Sequence, residues 1–224
     1  MVMDLELTGM APRGDRAAVQ FRIARFDVTT SPSDLTDEQT RRNVQQSLQP
    51  MVGMTGSMEM DDRGRMRDMK WQVPDSVPPA VRTVLDGMSR SGQDMVVPMP
   101  EEPVGVGAEW YAVKDTPFMG IRLAYTSRVK LIAMTGDRIT LRTSVDIAGG
   151  RQPFAFPGLP PGTTAEIISC DGEGTSDIEV DLDWLSPARM SVRTHVDMAM
   201  DVTTNGQTQS LVLQSRMSMD AQRR

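Results

Sequence analysis

Apolar and polar residues alternate with a period of two over most of this chain, beginning with MDLELTGM and AAVQFRIARFDV on either side of the turn-rich connector APRGDR. Alternation of this kind describes half-buried β-strands, with one face turned to a core and the other to water. Two further strands flank DDRG. From AEWYAVKD onward the pattern predicts only strands: IRLAYTSRVKLIAM, ITLRTSVDIAG, TAEIISC, DIEVDLDWL, RMSVRTHVDMAMDV and SLVLQSRMSMD. TGD, DGEGTS and NGQ are read as the turns between them, and Asn205-Gly206 is the sharpest hairpin signal. Two stretches break the pattern. SPSDLTDEQTRRNVQQSLQPMVG offers a capping box from Thr36 to Gln39 and a narrow stripe of Val44, Leu48 and Met51, which predicts a helix near 35–49. SVPPAVRTVLDGMSRSG places Val77, Val81, Val84, Leu85 and Met88 at helical spacing, which predicts a second near 77–89.

Short turns pair each strand with its sequence neighbour, so the expected fold is mainly β with an α+β character. It is a single domain over 1–224, a large curved antiparallel meander sheet, or half-barrel, with the two helices on its concave face. A β-sandwich competes, but the long crossing connections that it needs are scarce after residue 108.

Composition narrows the function. Thirty acidic against 24 basic residues, a net charge of −6, argue against nucleic acid as a partner. The single cysteine, Cys170, excludes an intrachain disulfide and a cysteine-cluster metal site, and as part of a strand it reads as a buried inert thiol. No apolar run is long enough for a transmembrane helix.

Motifs that resemble chemistry fail on inspection. PVGVGAEW lacks the third glycine and the following helix of a dinucleotide loop. DGEGTSD has Ser176 and Leu182 where a calcium loop needs glycine and a closing glutamate. Asp181 and Asp183 share a polar strand face without a second motif. His195, the only histidine, lies beside Asp197 with no identifiable nucleophile. No catalytic residue, metal ligand or cofactor is expected, and the chain is read as not an enzyme.

Methionine is the unusual component, with 19 residues against three tryptophans, two tyrosines and five phenylalanines. Being unbranched and polarisable, it fills irregular space and suits surfaces that accept varied apolar partners. Met58, Met60, Val196, Met198, Met200, Leu213, Met217 and Met219 fall on like strand faces and are the candidate lining of a cavity for an apolar ligand. The bland alternative is a solid Met-rich core in a structural or protein-interaction module. The loop GGRQPFAFPGLPPG carries Phe154, Phe156 and Leu159 among prolines that bar them from a ladder, and it is read as an apolar gate or docking tip.

The order strand, strand, helix, strand, strand, helix, the connector EEPVGVGAEW and the ending DGEGTSDIEVDLDWLSPARMSVRTHVDMAMDV resemble a family of uncharacterised extracytoplasmic bacterial proteins, often lipoprotein-like. The element order is also similar to that of the LolA and LppX carriers, whose curved sheet and lid helices enclose an apolar cavity. The resemblance implies a periplasmic or outer-membrane-associated address, with tethering through a segment missing from this chain. It also implies a lipid, a lipoprotein acyl chain or another apolar ligand as partner, with contact to a membrane surface or a lipoprotein.

Overall fold

The computed structural model describes residues 2–9, 16–27, 46, 49–74, 77, 82, 85, 89, 97–118, 121–154, 162–183 and 186–223. They form β1 (Val2–Gly9), β2 (Arg16–Asp27), β3 (Thr55–Asp61), β4 (Met66–Gln72), β5 (Glu109–Phe118), β6 (Ile121–Thr135), β7 (Arg138–Gly149), β8 (Gln152–Phe154), β9 (Thr163–Asp181), β10 (Ser186–Thr204) and β11 (Gln207–Arg223). All eleven belong to one sheet, in the order β4-β3-β2-β1-β11-β10-β9-β7-β6-β5, with β8 paired to β9 beside that path.

Two antiparallel meanders are joined where β1 runs parallel to β11, from Val2 opposite Ser218 to Leu7 opposite Arg223. The expected all-antiparallel meander with two helices on its concave face is therefore corrected in two respects. The sheet is mixed, and the described residues do not make up the two helices: the one helical element they span continuously is the three-residue 3-10 turn Gln49–Met51, and only the isolated positions Gln46, Arg82, Leu85 and Ser89 are α-helical. Most of the intervals 35–49 and 77–89 lies outside the described residues. Met51, Val77 and Leu85 are nevertheless buried, packed with Met3, Ile23 and Met54. Local turn signals report only which sequence neighbours pair, so they could not reveal that the first strand docks on the last.

The DGEGTS turn is also corrected, because β9 runs unbroken through it. Its glycines serve packing. A Cβ on Gly172 would lie 2.9 Å from Val196 Cγ2, and one on Gly174 would lie 2.8 Å from Val145 Cγ1, so neighbouring valines occupy the space that side chains would need. Glycine in a strand interior also lets a sheet bend.

Curvature follows from the segment at 97–104. Laid flat, the ten strands from β4 to β5 would span roughly 40 Å at ~4.8 Å each. Yet Met99 donates to Arg63 O at 2.9 Å and accepts from Arg63 Nε at 2.9 Å, which ties it to the turn between β3 and β4. Met99 also packs with Val97, Val104 and Trp110 on Val129, Leu131, Ile139 and Leu141 of β6 and β7. Trp110 Nε1 completes the strap by donating to Pro98 O at 3.1 Å. The sheet is curled toward its apolar face, open, with its two edges linked at one end.

Asp61 organises the β3–β4 turn. Burial pushes its carboxyl up, but the backbone N–H groups of Arg65 and Arg63 and the Arg65 guanidinium, 2.6 Å away, bring it below its ordinary value. A carboxylate depressed in the folded state stabilises fully above its unfolded pKa, about 4, and loses that contribution as the pH falls through the folded value. Asp61→Asn is expected to lower stability at neutral pH by about 1–3 kcal/mol and to blunt the acid-induced part of unfolding, read from thermal melts across pH. Toward the other end of β3, Gly56 lies where Phe21 and Trp71 meet edge to face at 4.7 Å. A Cβ there would strike the Phe21 ring and sit 2.6 Å from Lys70 O. Gly56→Ala is expected to cost about 1–3 kcal/mol by overpacking, measured by urea unfolding.

Candidate functional site

The period-two pattern separates the sheet cleanly. On β6, Ile121, Leu123, Tyr125, Ser127, Val129 and Leu131 are buried, while Arg122, Thr126, Arg128 and Lys130 are exposed. Register carries the apolar face across the central strands: Met198 stands opposite Cys170 of β9 and Leu213 of β11. Val196 stands opposite Gly172, which in turn faces Ile147 of β7.

Val196, Met198 and Met200 are brought together on this inner face with Val202, Leu211, Ile147, Ile167, Cys170 and Tyr125. Leu213 lies beside them and is 51% exposed. Met58 and Met60 are buried in a different cluster with Leu7, Val19, Phe21 and Ala221, to which Met190 of β10 also belongs. Met219 packs on the Met3 and Ile23 cluster, and Met217 is half-buried opposite Thr194. The methionines thus share one side of the sheet but not one pocket. Met190 and Met198, which mark the two clusters on β10, are separated by roughly 25 Å of strand.

Coverage of this face is uneven. The β6 residues are buried, whereas Val196, Met198, Val202, Leu211 and Met217 are only half-buried. Sequence reasoning placed Val202 on this face with Val196, Met198 and Met200, and missed Leu211, Ile167 and Tyr125. The alternation in SLVLQ was available for Leu211, and that in IRLAY for Tyr125.

Phe154 closes β8 opposite Ala165, and Pro153 stands opposite Glu166, so the ladder reaches further into the proline-rich loop than expected. Proline is tolerated there because β8 is a short strand off the main path. Phe156 and Leu159 lie outside the described residues. Phe154 packs against the inner-face cluster. Phe154→Ser is expected to lower stability by about 1–2 kcal/mol, read as a fall in melting temperature.

Chemistry is dispersed. Burial first, and then the nearby Asp171, push the Cys170 thiol up and keep it protonated. Burial also drives Tyr125 up to about 12, with Cys170 adding to the shift. His195 is on the opposite face, its Nε2 3.2 Å from Asp197 Oδ2, so the thiol and the imidazole are separated by the sheet itself. Asp181, expected on a solvated face, is instead buried and bonded to Arg223 Nη2 at 2.6 Å. The Gly105–Gly107 stretch is a tight connector: Gly107 N–H donates to Leu131 O at 2.8 Å, and Ala108 O accepts from Leu131 N–H at 3.0 Å. Among the described residues no group of three or more His, Cys, Asp or Glu side chains is placed to hold a metal.

The outer face carries a trough of about 1100 Å³ that includes Asp4, Glu6, Asp177, Glu179, Arg189 and Arg193. Its charges are largely matched across strands, as in Arg142–Asp177 at 2.7 Å and Arg138–Glu179 at 2.9 Å, which describes a solvated ladder of ion pairs. No protein-family model, curated protein or solved structure matches this chain.

Proposed function

We propose that this protein is a non-enzymatic carrier or sensor that holds an elongated apolar ligand, such as a lipid or lipoprotein acyl chain, against the inner face of its curled sheet. It would act outside the cytoplasm, as the sequence resemblance implies. The observation that carries the reading is the uneven burial just described. A curled sheet with a packed apolar half on β6 and β7 leaves Val196, Met198, Val202, Leu211 and Leu213 incompletely covered on β10 and β11. Apolar surface that folding leaves open gains about 25 cal/mol per Å² when a ligand covers it. Flexible methionine adapts to chains of differing shape.

A second reading, a structural module with a solid Met-rich core, is favoured by Met58 and Met60, each only 8% exposed. The two readings part on β10 and β11. Native mass spectrometry of protein purified from bacteria is expected to find a co-purifying lipid, and a fluorescent fatty-acid probe is expected to bind the stripped protein. Met198→Asp and Leu213→Asp are each expected to weaken probe binding roughly tenfold or more, about 1.4 kcal/mol, with a smaller effect on thermal stability. Absence of probe binding, or binding indifferent to both variants, rejects the carrier.

A further inference from the structure

The strand β11 has a neighbour on both sides for only part of its length. β10 pairs with it from Gln207 to Gln222, but β1 covers only Ser218 to Arg223. Over residues 207–217 its far edge has no strand beside it among the described residues. Val212 is 71% exposed and Leu213 51% there, on a stretch, QTQSLVLQSRM, with no proline, glycine, lysine or acidic residue.

Natural edges are normally blunted against pairing with other chains. Both outer edges of this sheet are blunted. β4 has Asp68 at φ 49 and a register shift against β3, with Arg67 and Lys70 along it. β5 carries Pro117, and Lys114 stands on the inner-face side opposite Tyr125. The β11 edge has no comparable guard, only Arg216 near its end.

We propose that this edge is the contact surface for a second copy of the chain, paired antiparallel about a two-fold axis at Val212. The sequence is self-complementary about that residue. Two-fold pairing sets Val212 opposite itself, Leu211 opposite Leu213, Ser210 opposite Gln214, Gln209 opposite Ser215 and Thr208 opposite Arg216. Apolar residues meet apolar residues on the same face, polar residues meet polar ones, and no like charges face each other.

The backbone supports the same register. Asn205 at φ 52 and Gly206 at φ 78 form a two-residue hairpin turn of the I′ kind, which makes Thr204 and Gln207 the closing hydrogen-bonded pair. Strict alternation along the unshifted β10–β11 ladder then turns the N–H and C=O groups of Thr208, Ser210, Val212, Gln214 and Arg216 toward the open side. Each of these faces another member of the set across the two-fold, giving about ten inter-chain main-chain hydrogen bonds at two per pair. The pairing also sets Leu211 and Leu213 of each copy against the other's, making one apolar face of two. It stands independently of any ligand.

Light scattering after gel filtration, with the full chain, is expected to show a dimer. Val212→Lys places like charges opposite each other and is expected to weaken dimerisation about tenfold or more without changing the circular dichroism spectrum. Val212→Cys is expected to form an inter-chain disulfide under mild oxidation, because opposed residues of a hydrogen-bonded pair lie ~5.5 Å apart, within disulfide reach. Ser210→Cys should not, since four residues of register separate it from its copy by roughly 13 Å. A chain that stays monomeric overturns the proposal, including one that takes an extended peptide on this edge instead. So does a dimer indifferent to Val212→Lys, or equal cross-linking of the two cysteine variants.

Discussion

The parallel pairing of β1 with β11 is the constraint on which the rest of the sheet depends. Each meander on its own ends in an uncovered strand: β1 at the end of the amino-terminal one, β11 at the end of the other. Their junction turns two open sheets into one. It buries Leu7 and Ala221 at 2% exposure each, and Asp181 with its Arg223 partner lies alongside. The two strands stand at opposite ends of the chain, so the contact carries a large loop-closure entropy and is of the kind that slows folding.

Curvature is the second layer, and it makes the inner face concave. Gly172 and Gly174 remove two side chains from the middle of β9, and the strap at 97–104 holds the opposite edges near each other. Arg63 is the joint: its backbone and guanidinium grip Met99, and its Nη1 lies 2.6 Å from Glu101 Oε1. A sheet curled this way must decide which face to fill. The outer face resolves into cross-strand ion pairs, while the inner face is packed at β6 and β7 and thinly covered at β10 and β11. One architecture thereby produces a core and an exposed apolar surface from the same alternation.

Joining β1 to only one end of β11 has a structural consequence at the other end. The ladder of β1 begins at Val2 opposite Ser218, so past that point β11 is an edge strand, backed on one side by β10 and, beyond it, by β9. An uncovered strand edge of this sort presents main-chain groups to which a further strand can add. The exposed Val212 and Leu213 lie where such a strand would add.

The sequence alone determined the strands, their faces and most of their turns, because period-two alternation and residues such as Asn205-Gly206 act over a few positions and need no distant partner. It also determined that Met198 and Val196 share a face and that Cys170 lies in a strand. Tertiary structure decided the rest. DGEGTS looked like a turn because glycine favours turns; only the valines of β7 and β10 show that these glycines make room for neighbours. The methionines looked like one lining because alternation assigns a face but no position along it, and the packing divides Met58 and Met60 from Met198 and Met200. Asp181 looked solvated until Arg223, 42 residues away, arrived beside it. Pairing of β1 with β11, curl and burial are all relations between residues far apart in the chain, and a local pattern carries no record of them.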